Sequence, residues 1–159
     1  MTITRREFMR LSGATVLCAC AGAAGLSGCS HPTGVSSVPL APETSYRWDG
    51  GQVVVALGAA DALDPVGGAV RLAMDDGDDA EVKIIVVHSE PIVYQAFANE
   101  CTHNGKELDY LREDKIVRCC SGRAQFDLAG NVIRGPAEQA LHTYPARREG
   151  DELIIEVPG

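Results

Sequence analysis

From residue 46 to residue 157 the apolar positions fall in short runs cut by glycine, proline and acidic turns, a pattern that predicts β-strands rather than helices. The stretch 52–57 carries three consecutive valines. Gly67-Gly68 signals a turn before a strand over 69–74, and 83–87 holds the unbroken run Ile84-Ile85-Val86-Val87, which Pro91 closes. A strand over 92–98, with Tyr94 and Phe97, leads into Asn99-Glu100-Cys101. Beyond it, 115–118 is predicted as a short strand delivering Cys119, and 125–128 with 132–134 as a hairpin about Gly130-Asn131. The stretches 140–147 and 153–157, joined through Glu149-Gly150-Asp151, close the sheet. No repeat and no amphipathic helix interrupts this, so the predicted class is all-β.

The first 45 residues follow different rules. Thr4-Arg5-Arg6-Glu7-Phe8-Met9-Arg10 resembles the twin-arginine export signal, and a weakly apolar run rich in alanine and glycine follows over 11–28. Leu26-Ser27-Gly28-Cys29 resembles the lipobox of bacterial lipoproteins, which implies acylation of Cys29 and a mature chain beginning there. The rival is an uncleaved anchor, since a helix over 11–28 would reach roughly 27 Å. Alanine and glycine span membranes poorly, which favours lipidation. Either arrangement tethers the protein to a membrane on the periplasmic or cell-envelope side. Residues 30–45 carry three prolines and no period, and are predicted to be a flexible tether in which His31 is solvated. The expected organisation is an export signal over 1–29, a tether over 30–45 and one domain over 46–159.

Charge narrows the partners. The chain has a formal net charge of -8, and without the leader 11 basic residues face 21 acidic ones. Nucleic acid is excluded because phosphate binding needs a basic face. The 17 glycines and 8 prolines suit short strands joined by turns. Asp75-Asp76-Gly77-Asp78-Asp79 lacks the ligand spacing of a calcium loop and is predicted to be a solvated turn. His88 is expected at the surface or half-buried.

The candidate chemistry lies in cysteine and histidine. Cys18 and Cys20 fall in the leader and Cys29 ends it, so the domain holds Cys101, Cys119 and Cys120. Three thiols cannot form a complete disulfide set, and a ligand or free-thiol role follows. Cys101-Thr102-His103, fifteen residues, then Cys119-Cys120 brings two thiolates and an imidazole from two loops, three of the four ligands of an iron-sulfur site. Cys101-Thr102-His103-Asn104-Gly105 resembles the first cluster loop of Rieske iron-sulfur domains. Phe126-Asp127, Gly130-Asn131-Val132 and Gly135-Pro136-Ala137 resemble the stretches after the second loop, and the resemblance covers about 52–157.

That resemblance implies a Rieske fold and a [2Fe-2S] cluster held by Cys101, His103 and Cys119. The second loop departs from the family's C-x-x-H: Cys120 stands where proline is usual and Gly122 where the second histidine belongs. A frame shifted by one would put Cys120 in the ligand place and Arg123 in the histidine place, at the cost of a deletion before Phe126. Cys120, Arg123 or water are therefore the candidate fourth ligands. The bracing disulfide of some family members is missing, its positions being Lys106 and Ser121. His142 is the only other downstream histidine, read as an exposed strand residue among core positions Leu141 and Tyr144.

Two functions follow. One is one-electron transfer by an exported, membrane-tethered protein docking on a cytochrome or oxidoreductase subunit with a basic face. The other is a cluster-free interaction or scaffold subunit. In that second case Cys101 and Cys119 could join as a disulfide, because thiolates on one tetrahedral metal sit about 3.8 Å apart and need move little to close to ~2.05 Å. No nucleophile triad, nucleotide loop or substrate pocket motif is present, and without the second domain of Rieske oxygenases this chain by itself is not expected to be an oxygenase.

Overall fold

The computed structural model describes residues 35–75 and 81–158. The stretch read as an export signal, with Cys29 and His31, and residues 76–80 lie outside the described residues. Among those described, the chain forms twelve strands in three antiparallel four-stranded sheets, which bears out the all-β class.

The first sheet joins β1 (Tyr46–Asp49), β2 (Gln52–Ala56), β12 (Glu152–Glu156) and β11 (Ala146–Glu149) in that spatial order. The second runs β10 (Thr143–Tyr144), β5 (Val93–Ala98), β4 (Glu81–Glu90) and β3 (Ala69–Asp75). The third, smaller sheet is a meander of β6 (Leu108–Leu111), β7 (Ile116–Cys119), β8 (Gln125–Phe126) and β9 (Val132–Arg134). Pro145 divides the single strand expected over 140–147 into β10 and β11, which belong to different sheets. A proline lacks the N–H that a continuous ladder would need there.

The run Ile84-Ile85-Val86-Val87 explains how the sheets stack. Successive side chains of a strand point to opposite faces. Ile84 and Val86 enter a core with Val53, Val55, Leu153 and Ile155 of the first sheet. Ile85 and Val87 enter another with Leu108, Val117 and Phe126 of the third. The strand is covered on both sides, so its sequence is continuously apolar instead of alternating. Burial also claims His88, expected nearer the surface: it is 6% exposed. Its Nδ1 lies 3.0 Å from the carbonyl oxygens of both Leu63 and Asp64, and its ring stacks on Tyr94 at 4.4 Å.

The stretch read as a tether is, from Ser36 onward, part of the fold. Arg71 N donates to Pro39 O and Ala41 N to Arg71 O, both at 2.8 Å, so this segment lies along the open edge of β3. Ser36 Oγ donates to Leu108 O at 2.6 Å, and Ser37 N to Asp109 Oδ1 at 2.5 Å, on the open edge of β6. Val38 and Ala41 are buried. The segment therefore covers two sheet edges whose backbone groups would otherwise be unpaired. Prolines removed the strand signal from its sequence, but its few polar and apolar contacts suffice to seat it. No helix among the described residues is long and apolar enough to cross a membrane.

Candidate metal centre

Both cysteine loops lie at one end of the third sheet, where Leu108 of β6 pairs with Cys119 of β7. β5 delivers the first through Asn99, a buried side chain whose Oδ1 accepts a hydrogen bond from Leu108 N at 2.8 Å and pins the start of β6. The loop then wraps Cys101. Its carbonyl accepts from Asn104 N at 3.1 Å and Gly105 N at 2.8 Å, while Cys101 N donates to Lys106 O at 2.7 Å. Gly105 closes the turn at φ +69°, a conformation that disfavours side chains. Thr102 Oγ1 donates to Gln139 O at 2.8 Å and ties the loop to the segment after Pro136.

The second loop is tighter. Cys119 N donates to Ala124 O at 3.0 Å, and Gly122 N turns back to Cys119 O at 2.7 Å with Gly122 at φ +75°. Cys119 Sγ lies 3.0 Å from Ser121 Oγ and donates to Asn104 Oδ1 at 3.5 Å, so the loops are joined through their polar side chains.

The structure brings Cys101 and Cys119 together. Both lie in the core with Phe97, Phe126 and Leu141, and Cys119 Sγ reaches Asn104 of the first loop. Burial pushes the Cys101 thiol up; the backbone N–H of His103 opposes this, and the neighbouring Cys119 adds to it. Cys120, one residue on, is buried outside that core cluster. Its N–H reaches Glu107 O at 3.0 Å, and its thiol is pushed up to about 11 by burial and then by the carboxylates of Asp109 and Glu107. β7 ends at Cys119, and Cys120 opens the turn that follows.

His103 and Arg123 are both exposed. His103 lines an open cleft of about 450 Å³ with Cys101, Glu100, Gln139 and His142. His142 is exposed, Leu141 buried and Tyr144 half-buried, as their spacing suggested. Two polar features escaped the sequence reading. Asn104 bridges the loops, and Asp109 lies 5% exposed where it accepts from Ser36, Ser37 and Arg118. An isolated Asp or Asn in a loop carries no periodic signal that would reveal either role.

A Rieske centre takes two cysteines and two histidines. The site offers two adjacent thiols and one nearby histidine, and Gly122 contributes no side chain. Among the described residues no three His, Cys, Asp or Glu side chains converge to hold a metal ion. This donor set does not fit the complete centre.

The scaffold is nonetheless unambiguous. The family model of the Rieske [2Fe-2S] domain matches residues 55–145, more than half of the sequence, and the chain belongs to that family. Among curated relatives, the cytochrome b6-f complex iron-sulfur subunit of Chlorobaculum thiosulfatiphilum is 36% identical over 75 residues, covering 47% of this chain and 41% of that protein. The 3-phenylpropionate/cinnamic acid dioxygenase ferredoxin subunit of Escherichia coli K12 is 32% identical over 68 residues, covering 41% of this chain and 64% of that one. The chain thus spans less than two thirds of the length of either relative. Among solved structures, the plasma membrane Rieske protein of the cyanobacterium Synechocystis PCC 6803 aligns with a TM-score of 0.44 at 25% identity, over 55% of this chain and 86% of that one.

Proposed function

We propose that the protein is an exported, membrane-tethered Rieske-fold subunit of an electron-transfer assembly, which docks on its oxidoreductase partner without carrying a complete Rieske centre. The observation that carries this reading is Gly122: the residue in the place of the family's second histidine closes a tight turn at φ +75° and offers no donor. Export and tethering rest on Arg5-Arg6 and on Leu26-Ser27-Gly28-Cys29. In this reading the signal occupies 1–29, Cys29 carries the lipid, and the body of the protein starts at Ser36. Its site faces the periplasmic or cell-envelope side. The names of its relatives, subunits of a cytochrome b6-f complex and of a dioxygenase, support a partner of the oxidoreductase kind. The acidic excess favours a basic face on that partner.

A second reading keeps one-electron transfer. It is favoured by the burial of Cys101 and Cys119 in one core cluster beside an exposed His103, with the two loops joined through Asn104. The fourth would come from outside the family's pattern, and Cys120 lies outside the core cluster that holds the other two thiols.

Visible and EPR spectra of anaerobically purified protein, with iron and sulfide counted, separate the two. The proposal expects a colourless, folded protein even after anaerobic reconstitution. Two irons per chain and a reduced [2Fe-2S] signal would overturn it in favour of the second reading. Mass spectrometry of the membrane fraction tests the anchor, expecting an acylated Cys29 at the mature N-terminus; an intact leader would sink that part.

A further inference from the structure

Three features stand apart from the docking role: the buried His88, the cleft shared by His103 and His142, and the unequal placement of the three domain thiols. The first is held by backbone and ring contacts, and the second does not converge three donors. The thiols carry an inference. We infer that Cys101 and Cys119 are a disulfide-forming pair that locks the two loops together, and that Cys120 is excluded from it.

This rests on the reading that no complete cluster occupies the two thiols. With no metal between them, Cys101 and Cys119 are 1% and 0% exposed within one core cluster, and Cys119 Sγ reaches Asn104 of the Cys101 loop at 3.5 Å. They end two different loops whose backbones are fixed independently, one by the turn around the Cys101 carbonyl and the other by the Cys119–Ala124 and Gly122–Cys119 bonds. Cys120 is buried outside that cluster, its N–H held by Glu107 O at 3.0 Å. Sequence adjacency to Cys119 does not bring it to Cys101.

The reaction is thiol–disulfide exchange with a protein or small-molecule disulfide. The thiolate of one cysteine attacks the donor, forming a mixed disulfide and releasing one donor thiol. The second cysteine attacks that bond, closing the Cys101–Cys119 disulfide and releasing the other donor thiol. Two electrons pass from the pair to the donor, whose two thiols take up the two protons. Because both sulfurs are shielded, a donor must wait for the exposed first loop to lift away from its Thr102–Gln139 tie. Oxidation should therefore be slow in the folded protein and faster in mild denaturant.

The test uses the full chain in metal-free form, equilibrated with graded ratios of oxidised to reduced glutathione. Samples are acid-quenched, alkylated under denaturing conditions and digested without reduction for peptide mass mapping. The expected product links the Cys101 peptide to the Cys119 peptide, with Cys120 alkylated. Oxidised protein should melt on the order of 10 °C above reduced protein. Cys120→Ser should leave the cross-link intact, and Cys101→Ser should remove it. A cross-link involving Cys120, or alkylated Cys101 and Cys119 across all ratios, would overturn the inference. Should Cys101→Ser fail to fold, the map of the unaltered chain still decides. Iron counting keeps the two claims apart: two irons per chain would defeat the docking proposal, whereas the cross-link is read on metal-free protein.

Discussion

Ser36 and Asp109, 73 positions apart, meet at 3.2 Å beneath the edge of the third sheet, where Ser37 also donates to the same carboxylate oxygen. The contact makes the segment before β1 a structural part of the loop-bearing sheet. Asp109 is also paired with the half-buried Arg118 at 3.5 Å. Replacing Asp109 by Ala would strand that guanidinium and free the N-terminal segment. The expected loss is about 3 kcal/mol in urea denaturation. Ser36→Ala should cost about 1 kcal/mol. Deletion of residues 36–41 should lower the urea midpoint; a midpoint equal to that of the unaltered protein would remove the segment from the fold.

Gly122→His tests the missing corner directly. The position sits at φ +75°, so the metal-free variant should lose about 1–2 kcal/mol of stability. Histidine tolerates this region better than most residues. After anaerobic reconstitution with iron and sulfide, the variant is expected to show visible absorbance that the unaltered protein lacks. A colourless variant would mean that more than one ligand has been lost.

Phe126 is fully buried in the core that also contains Cys101, Cys119 and Phe97. Phe126→Ala should cost roughly 3–5 kcal/mol by the area and cavity it removes. Because Phe126 backs both loops, backbone hydrogen exchange at Cys101 and Cys119 should accelerate more than at Val53 or Leu153. Uniform acceleration would deny the third sheet its own stability.

Asp127 provides a pH dependence. Burial pulls its carboxyl up, but donors from the Asn131 side chain and from the backbone of Asn131, Ala129 and Gly130 together outweigh it and hold the group below its usual value. A carboxyl with a lowered folded pKa adds stability above its unfolded pKa of about 4, and that stability is lost as pH falls through the folded value. The gap between the unaltered protein and Asp127→Asn should be constant near neutrality and narrow below pH ~4. Urea midpoints measured from neutral to strongly acidic pH check this; a gap that widens in acid reverses the sign of the argument.

The sequence by itself determined the all-β class, the positions of most strands, the two cysteine loops and the family. These are local signals: alternation, unbroken apolar runs, turn residues and a short motif. The motif already paired Cys101 with Cys119 but left Cys120 open as a substitute, because the burial of Cys120 outside the core that holds the other two thiols is set by tertiary packing. Nor could the sequence distinguish a tether from a seated segment, since 36–41 is fixed by carbonyls and a carboxylate on β3 and β6 rather than by any period of its own. The doubly buried β4 shows the same division. Its composition announces burial, while the two layers that cover it exist only once distant strands have paired. Local chemistry is written along the chain, but partners far apart in sequence are selected by packing, and packing decides what each cysteine can do.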